Sequence, residues 1–267
     1  MELFYRRIGS GKPFIILHGL FGSSDNWYSI GKQLSANHEI FLVDQRNHGQ
    51  SPHHALHNYI ALSDDLHEFI VQHNIFRPVI MGHSMGGRTA MFFAARHPKL
   101  IDKLIVADIS PCSYNPSNHP VEALQHEKII SALRNVDLSA VSSRREADIR
   151  LAQTISSLPL RQFLLKNIKT DNHGKFHWRF NIDAIENNLS EIYKGIDTLP
   201  LPEKNQISFP ALFIRGQLSG YIQEKDITCI YNYFSNASVV TIPQAGHWLH
   251  AEQPELVIDF IKKFLGS

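Results

Sequence analysis

The sequence is poor in cysteine, has no excess of either charge and contains no long apolar run. Its two cysteines, Cys112 and Cys229, stand far apart and do not make a disulfide framework. The formal net charge is +1, so the chain lacks the clustered positive charge with which proteins neutralise nucleic-acid phosphates, and we expect no nucleic-acid partner. Because no apolar run approaches the length of a membrane span, we expect no insertion into a bilayer.

The first residues also lack a targeting signal. Residues 1–7 do not combine a basic start with an apolar stretch, so we expect no cleaved signal peptide. Together with the low cysteine content, this favours a cytoplasmic protein. The chain has 267 residues and is 43% hydrophobic, which suffices for a sizeable core and suits one large domain.

Motifs for metals and cofactors are missing as well. His53, His54 and His57 stand close together, but no H-E-x-x-H motif or cysteine cluster accompanies them. The sequence has no glycine-rich phosphate loop of the nucleotide-binding type. We therefore expect neither a metal ion nor a cofactor.

Strand-like and helical patterns alternate along most of the chain. The strand-like runs lie near 13–17, 39–43, 78–81, 103–107, 210–214 and 238–242, and the helical patterns near 26–36, 58–73, 84–96, 222–234 and 252–264. This alternation predicts an α/β fold with a mostly parallel sheet covered by helices on both faces. Residues 2–8 are a candidate for one further edge strand.

The alternation stops between Pro111 and Pro210. Prolines punctuate several helical patterns there, and residues 171–174 read as the turn of a small hairpin. We therefore predict that residues 1–111 and 206–267 form the core. Residues 112–205 are predicted to be an inserted, mainly helical cap over the active site.

A G-x-S-x-G pentapeptide at residues 82–86 is the most informative motif. It stands between a short apolar segment and a helical pattern, and strand, sharp turn and helix is the context in which this motif presents a nucleophile. The flanking glycines permit a tight turn that holds the serine in a strained conformation with its hydroxyl above the sheet. The motif predicts Ser84 as a catalytic nucleophile.

A serine hydroxyl needs a base to take its proton and a third group to orient that base. Hydrolases of this architecture place their histidine late in the chain, after a strand. His247 meets this requirement, since it follows the apolar run 239–243 and a loop that contains Gly246. His250, one step nearer the next helix, is the alternative, and His83 is expected to pack or to hydrogen-bond locally.

Two backbone N–H groups must also stabilise the oxyanion that develops during attack on a carbonyl. One normally belongs to the residue after the nucleophile, here Met85. The other comes from the loop after an early strand, which reads His-Gly-Leu-Phe-Gly at residues 18–22. Leu20 is the predicted second donor and Phe21 is the alternative.

These motifs occur in the order seen in the α/β-hydrolase superfamily. They are His18-Gly19 and the segments 44–51, 82–87 and 246–248. Residues 106–111, Val-Ala-Asp-Ile-Ser-Pro, and 176–179, Phe-His-Trp-Arg, further resemble the bacterial YbfF-type acyl-CoA esterases and their mitochondrial hydrolase-domain relatives. The general resemblance covers nearly the whole chain and implies a hydrolase that acts on acyl esters or thioesters.

The third catalytic residue departs from the superfamily's common pattern. That pattern places an aspartate in the loop after the strand at 210–214, where this chain has Ser219. Asp108, at the end of the run 103–107, can reach the imidazole from one strand closer, and the YbfF-type resemblance implies the same placement. We predict Asp108 as the acid. Alternatives on the cap or on the following helix are Asp183, Glu224 and Asp226.

The sequence as a whole predicts a serine hydrolase that cleaves carboxylic esters or acyl thioesters. We expect substrate contacts from Phe21, Trp178 and Trp248, and the basic stretch at 161–179 is a candidate for binding acyl-CoA phosphates. Alternatives on the same machinery are C–C bond hydrolysis, perhydrolysis or an eliminating synthase, because function depends on the pocket. A ligand receptor that retains the fold is a further alternative. The sequence gives no prediction of oligomeric state.

Overall fold

The computed structural model describes residues 1–114, 120–200 and 207–266. The described residues form nine strands, Tyr5–Ile8 (β1), Lys12–Leu17 (β2), His38–Val43 (β3), Val79–His83 (β4), Lys103–Ala107 (β5), Ile168–Thr170 (β6), Phe176–Trp178 (β7), Ala211–Gly216 (β8) and Ala237–Ile242 (β9). Seven of them form a central sheet in the order β1-β3-β2-β4-β5-β8-β9. Every neighbouring pair in the central sheet is parallel except β1 with β3, so the mostly parallel sheet and its extra edge strand are confirmed.

Helices cover both faces of this sheet, as the alternating pattern predicts. They are Tyr28–Leu34 (α1), Tyr59–Gln72 (α2), Met85–Arg96 (α3), Pro120–Asn135 (α4), Arg144–Ala152 (α5), Leu158–Leu165 (α6), Ile182–Asn187 (α7), Leu189–Ile192 (α8), Glu224–Tyr233 (α9), Leu249–Glu252 (α10) and Pro254–Leu265 (α11). One face of the sheet packs against α2 and α3, and the other packs against α1 and α11. Across the described ranges, no helix has both the length and the apolar character that a membrane crossing requires.

Helices α4 to α8 and the hairpin of β6 and β7 lie between β5 and β8 in the chain. The expected hairpin turn is present, with Gly174 at a φ of 78°. The segment meets the core through buried hydrogen bonds, such as those that Tyr59 Oη and Arg88 Nη1 donate to the Ile192 carbonyl at 2.9 Å each. The predicted boundary between residues 205 and 206 falls outside the described residues.

The two cysteines form a disulfide between Cys112 and Cys229, which the sequence analysis did not pair. Cys112 follows β5 and Cys229 lies on α9, which follows β8; because β5 and β8 are neighbours in the sheet, residues 117 positions apart meet. The bond links the start of the inserted segment to the core. Disulfides are rare in cytosolic proteins. The cysteines therefore give no support to the cytoplasmic location that the sequence analysis predicts.

Candidate active site

The turn between β4 and α3 holds Ser84 in a strained backbone conformation, with φ 52° and ψ −118°. Its N–H donates to the Ala107 carbonyl at 3.0 Å, which ties the turn to the neighbouring strand β5. Both glycines of the motif are required sterically. A Cβ on Gly82 would collide with the Gly86 carbonyl, and one on Gly86 would lie 2.5 Å from the Leu17 carbonyl oxygen. The pentapeptide therefore folds as the sharp turn that its pattern predicts.

The structure brings Asp108 and His247 together beside this turn. Asp108 directly follows β5, and its side chain is completely buried. His247 lies in the loop after β9, and its Nδ1 is 2.8 Å from Asp108 Oδ2. Because a carboxylate can only accept, Nδ1 carries the proton of this hydrogen bond and Nε2 is the ring nitrogen left to act as a base.

Two further groups hold the Asp108 carboxylate. The Gly216 N–H donates to Oδ1 at 2.9 Å, and the Ser219 hydroxyl donates to Oδ2. Burial raises the pKa of the Asp108 carboxyl to about 7, although these two hydrogen bonds act to lower it. Ser219 thus occupies the position of the acid in the superfamily pattern and donates a hydrogen bond to Asp108, the acid at the end of β5. The sequence analysis did not predict this contact.

The alternative carboxylates are bonded elsewhere. Asp183 is 75% exposed and pairs with Arg134 at 2.5 Å, and Glu224 is 80% exposed and pairs with Arg215 at 2.6 Å. Asp226 accepts the Gln223 N–H at 2.8 Å and so caps the start of α9. Asp108 is the carboxylate that the structure brings to the imidazole.

Two other histidines hold the loop of His247. His83 Nε2 donates to the His247 carbonyl oxygen at 2.8 Å. His250 stacks on Trp27 with ring centroids 4.3 Å apart and meets the edge of His83 at 4.9 Å. The structure therefore places both against the loop of His247. The hydrogen bond of His83 joins residues 164 positions apart, so it is not the local contact that the sequence predicts.

The loop after β2 presents one candidate oxyanion donor and excludes the alternative. The Phe21 N–H donates to His48 Nε2 at 3.1 Å, so it is not available to an oxyanion. Within the described part of the chain, the Leu20 N–H has no protein partner. Met85 is the first residue of α3, where N–H groups have no acceptor inside their own helix. Leu20 and Met85 can therefore both donate to a ligand.

Two cavities meet at Ser84 and Leu20. His247 lines the larger of the two, together with the predicted substrate contacts Phe21 and Trp248. The smaller is lined by residues of α2, α3, α4, α8 and nearby loops, and His247 is not among them.

Within the described residues, the structure does not place Trp178, a predicted substrate contact, on the wall of either cavity at Ser84. Its ring stacks on Phe180 with centroids 5.3 Å apart, and Phe180 in turn meets Phe21 edge-on at 5.5 Å. Trp178 lies at the end of β7 and packs against Phe180 and the core, on the side of Phe21 away from the cavity.

No three side chains with metal-ligating groups converge anywhere in the described ranges. His57, from the histidine cluster of the sequence, is instead buried and accepts a hydrogen bond from Asn47 Nδ2 at 3.3 Å. His53 Nε2 lies 3.3 Å from the Arg179 carbonyl oxygen.

The buried histidines predict a loss of stability in mild acid. Burial lowers the pKa of eight histidines below the ordinary 6.5, to about 3 for His57 and about 4 for His126, with the same direction in His18, His38, His48, His83, His97 and His250. The unfolded chain then binds more protons than the folded protein, so the free energy of unfolding is highest above about pH 6.5 and falls as the pH drops below it. The raised pKa of Asp108 acts in the opposite sense, but it is one group against eight. Urea unfolding midpoints should fall steeply between pH 7.5 and pH 5, and a constant midpoint would contradict this.

Comparison with known proteins shows the family of this chain. The chain matches the α/β hydrolase fold family over residues 12–254. It is 36% identical over 263 residues to an sn-1-specific diacylglycerol lipase ABHD11 of Danio rerio, across 96% of this chain and 78% of that protein. It is 33% identical over 258 residues to the esterase YbfF of Escherichia coli, across 97% of this chain and 94% of that protein.

A solved structure shows the same fold. A marine microorganism esterase superposes with a TM-score of 0.92 at 47% sequence identity, over 98% of this chain and 99% of that one. The resemblance that the motifs indicate, to the superfamily, to YbfF-type esterases and to hydrolase-domain relatives, is thereby confirmed. The chain belongs to the α/β hydrolase family.

Proposed function

We propose that this carboxylesterase-type hydrolase cleaves carboxylic esters or acyl thioesters through an acyl-enzyme on Ser84. The contact between His247 Nδ1 and Asp108 Oδ2, at 2.8 Å, is the observation that carries the proposal. It fixes the imidazole tautomer in which Nε2 carries no proton, and His247 and Ser84 line the same cavity. A base in this tautomer, beside a strained serine at a strand-to-helix turn, is the arrangement that acyl transfer requires.

The reaction proceeds in two steps. Ser84 Oγ attacks the acyl carbonyl while His247 takes its proton, and the N–H groups of Leu20 and Met85 stabilise the oxyanion. His247 then gives the proton to the leaving oxygen or sulfur, and the bond from the acyl carbon to the leaving group breaks. Water, deprotonated by the same imidazole, attacks the acyl-enzyme; the bond from the acyl carbon to Ser84 Oγ breaks, His247 returns the proton to Oγ, and the acid is released. No redox partner enters either step.

The position of His247 assigns the two cavities to the two parts of the substrate. The leaving group must lie within reach of the imidazole that protonates it. Because His247 lines the larger cavity, the alcohol or thiol belongs there. The acyl chain points away from the imidazole, toward the smaller cavity that Ser84 also lines.

The acyl cavity ends in a rigid wall. Tyr59 Oη and Arg88 Nη1 both donate to the Ile192 carbonyl at 2.9 Å, and all three residues are buried. Close-packed walls of this kind do not yield to an extra methylene without strain. The proposed substrates are therefore esters or thioesters of short acyl chains with larger leaving groups.

Matched isoleucines in the two cavities test this assignment. Ile192 lines the acyl cavity and is 5% exposed, and Ile129 lines the leaving-group cavity and is 4% exposed. Ile192→Ala should raise kcat/KM for hexanoyl relative to acetyl p-nitrophenyl esters by at least about tenfold, since room for two further methylenes, at about 0.8 kcal/mol each, amounts to about 1.6 kcal/mol. Ile129→Ala should leave the chain-length profile unchanged and alter the ranking of leaving groups.

A shift of the chain-length profile by Ile129→Ala and not by Ile192→Ala would reverse the assignment of the cavities. Ile192→Val removes one methylene and takes the place of Ile192→Ala if the alanine variant does not fold. Thermal melts show whether each variant is folded. Should the wild-type protein cleave none of the p-nitrophenyl esters or acyl-CoA thioesters in the panel, the proposed reaction itself would be wrong.

Thioesters remain in the proposal because of the basic stretch in the inserted segment. Arg161 pairs with Asp148 at 2.7 Å and Arg179 with Asp25 at 3.3 Å, so these two charges are partly used inside the protein. The exposed lysines of the stretch are Lys166, Lys169 and Lys175. Exposed ammonium groups attract phosphates, which supports the nucleotide end of an acyl-CoA as one leaving group.

A further inference from the structure

The backbone of Phe21 is held from two sides by buried side chains. Its N–H donates to His48 Nε2 at 3.1 Å, and its carbonyl accepts from Asn167 Nδ2 at 2.7 Å. Both partners are buried. Phe21 itself has a φ of 59°, a left-handed conformation that a bulky side chain adopts only when its surroundings enforce it.

This conformation sets the path of the loop that carries the proposed oxyanion donor. The Gly19 carbonyl accepts the Gly22 N–H at 3.0 Å, which closes a tight turn around Leu20 and Phe21. In a trans peptide the carbonyl and the following N–H point in opposite directions, so the fixed Gly19 carbonyl also fixes the Leu20 N–H. If Phe21 left its left-handed conformation, the turn would open and the Leu20 N–H would lose its direction.

His48 is built to accept a hydrogen bond at Nε2. Its Nδ1 lies 3.0 Å from the Arg46 carbonyl oxygen, and because that oxygen can only accept, the ring proton lies on Nδ1. Burial, and then the neighbouring His18 and His57, keep the pKa of His48 well below its ordinary value. The ring is therefore neutral, and its Nε2 lone pair is available to the Phe21 N–H.

Asn167 makes the second contact from the inserted segment. It lies between α6 and β6, where its carbonyl accepts the Arg179 N–H at 2.8 Å and its own N–H donates to the Leu164 carbonyl at 2.9 Å. Its Oδ1 is buried without a hydrogen-bond partner among the described residues. An unpaired buried oxygen disfavours the folded state, so packing alone does not account for an asparagine here.

We propose that His48 and Asn167 are positioning residues that aim the Leu20 N–H at the oxyanion, one from the core and the other from the inserted segment. The oxyanion site is then complete only while the inserted segment lies on the loop after β2. The inference rests on the proposed function, since it presupposes attack of Ser84 on a carbonyl.

Asn167→Ala tests the proposal against a matched control. Asn188 also belongs to the inserted segment and donates from Nδ2 to a core carbonyl, that of Ala55, at 2.9 Å, but it does not contact Phe21. Asn167→Ala should lower kcat for p-nitrophenyl acetate roughly 10- to 100-fold with little change in KM, because misplacing a donor affects the transition state. Asn188→Ala should change kcat by less than about twofold, within the range of a surface substitution.

His48 supplies the second pair of variants. His48→Leu should lower kcat as Asn167→Ala does, and His48→Gln should recover part of the loss because its amide oxygen can replace Nε2 as the acceptor. A trifluoromethyl ketone, which forms a tetrahedral adduct with its oxygen in the oxyanion site, should lose affinity in proportion to kcat. A merely structural role would lower the melting temperature without this proportionality.

Equal kcat values in the wild-type protein and folded Asn167→Ala would overturn the proposal, as would a ketone affinity that does not follow kcat. Failure of the proposed function gives a different result. In that case Ser84→Ala would keep the esterase activity, whatever the Asn167 and His48 variants do.

Discussion

Ser84→Ala should remove esterase activity while the protein stays folded. The variant lacks the attacking oxygen, and loss of one member of an interacting catalytic set typically lowers kcat by about 10⁴- to 10⁶-fold. The turn between β4 and α3 accepts the smaller side chain, because alanine keeps the Cβ of serine and the glycines that the tight turn requires are unchanged. Hydrolysis of p-nitrophenyl acetate, with a thermal melt of each protein, measures both effects.

Ser142→Ala is a suitable control, since this exposed serine bonds to Glu146 at 3.0 Å within the inserted segment. It should keep the wild-type rate. Retention of more than about a tenth of the activity by Ser84→Ala would reject Ser84 as the nucleophile, given the losses known for such sets.

Asp108→Asn should lower kcat by roughly 10⁴-fold, as the corresponding change does in other serine triads. The asparagine amide keeps the shape of the carboxylate but can donate toward His247 Nδ1. The imidazole would then carry its proton on Nε2 and could no longer accept one from Ser84. The steady-state rate with p-nitrophenyl acetate measures the loss.

Matched changes at the other carboxylates provide the comparison. Asp183→Asn and Glu224→Gln alter exposed residues that pair with Arg134 and Arg215, so each should keep activity within about twofold, as exposed ion pairs contribute little. A large loss in Asp183→Asn together with an active Asp108→Asn would move the acid to the inserted segment.

The sequence predicts the elements of the core because their signals are local. Apolar runs separated by helical patterns give the strands and helices of the sheet, and G-x-S-x-G with its flanks gives the turn at Ser84. Asp108 follows from strand order, since a residue at the end of β5 lies between β4 and β8. The ends of neighbouring parallel strands lie at the same edge of the sheet, so the predicted strand order alone places Asp108 near Ser84.

Other features depend on contacts between distant parts of the chain. The disulfide of Cys112 and Cys229 needs the meeting of α9 with the end of β5, which no local pattern records. The hydrogen bond of Ser219 to Asp108 spans 111 residues, and that of Asn167 to Phe21 spans 146. A tryptophan such as Trp178 looks the same in a sequence whether it faces a cavity or packs behind one.

Reaction with a fluorophosphonate, followed by digestion and mass spectrometry, tests the proposed acyl-enzyme most directly. The reagent phosphorylates a serine that a neighbouring base activates, and an unactivated hydroxyl does not react at a comparable rate. We predict a single adduct on the peptide that contains Ser84, formed slowly in Asp108→Asn and not at all in Ser84→Ala. An unlabelled wild-type protein, or an adduct on another residue, would contradict a nucleophilic Ser84.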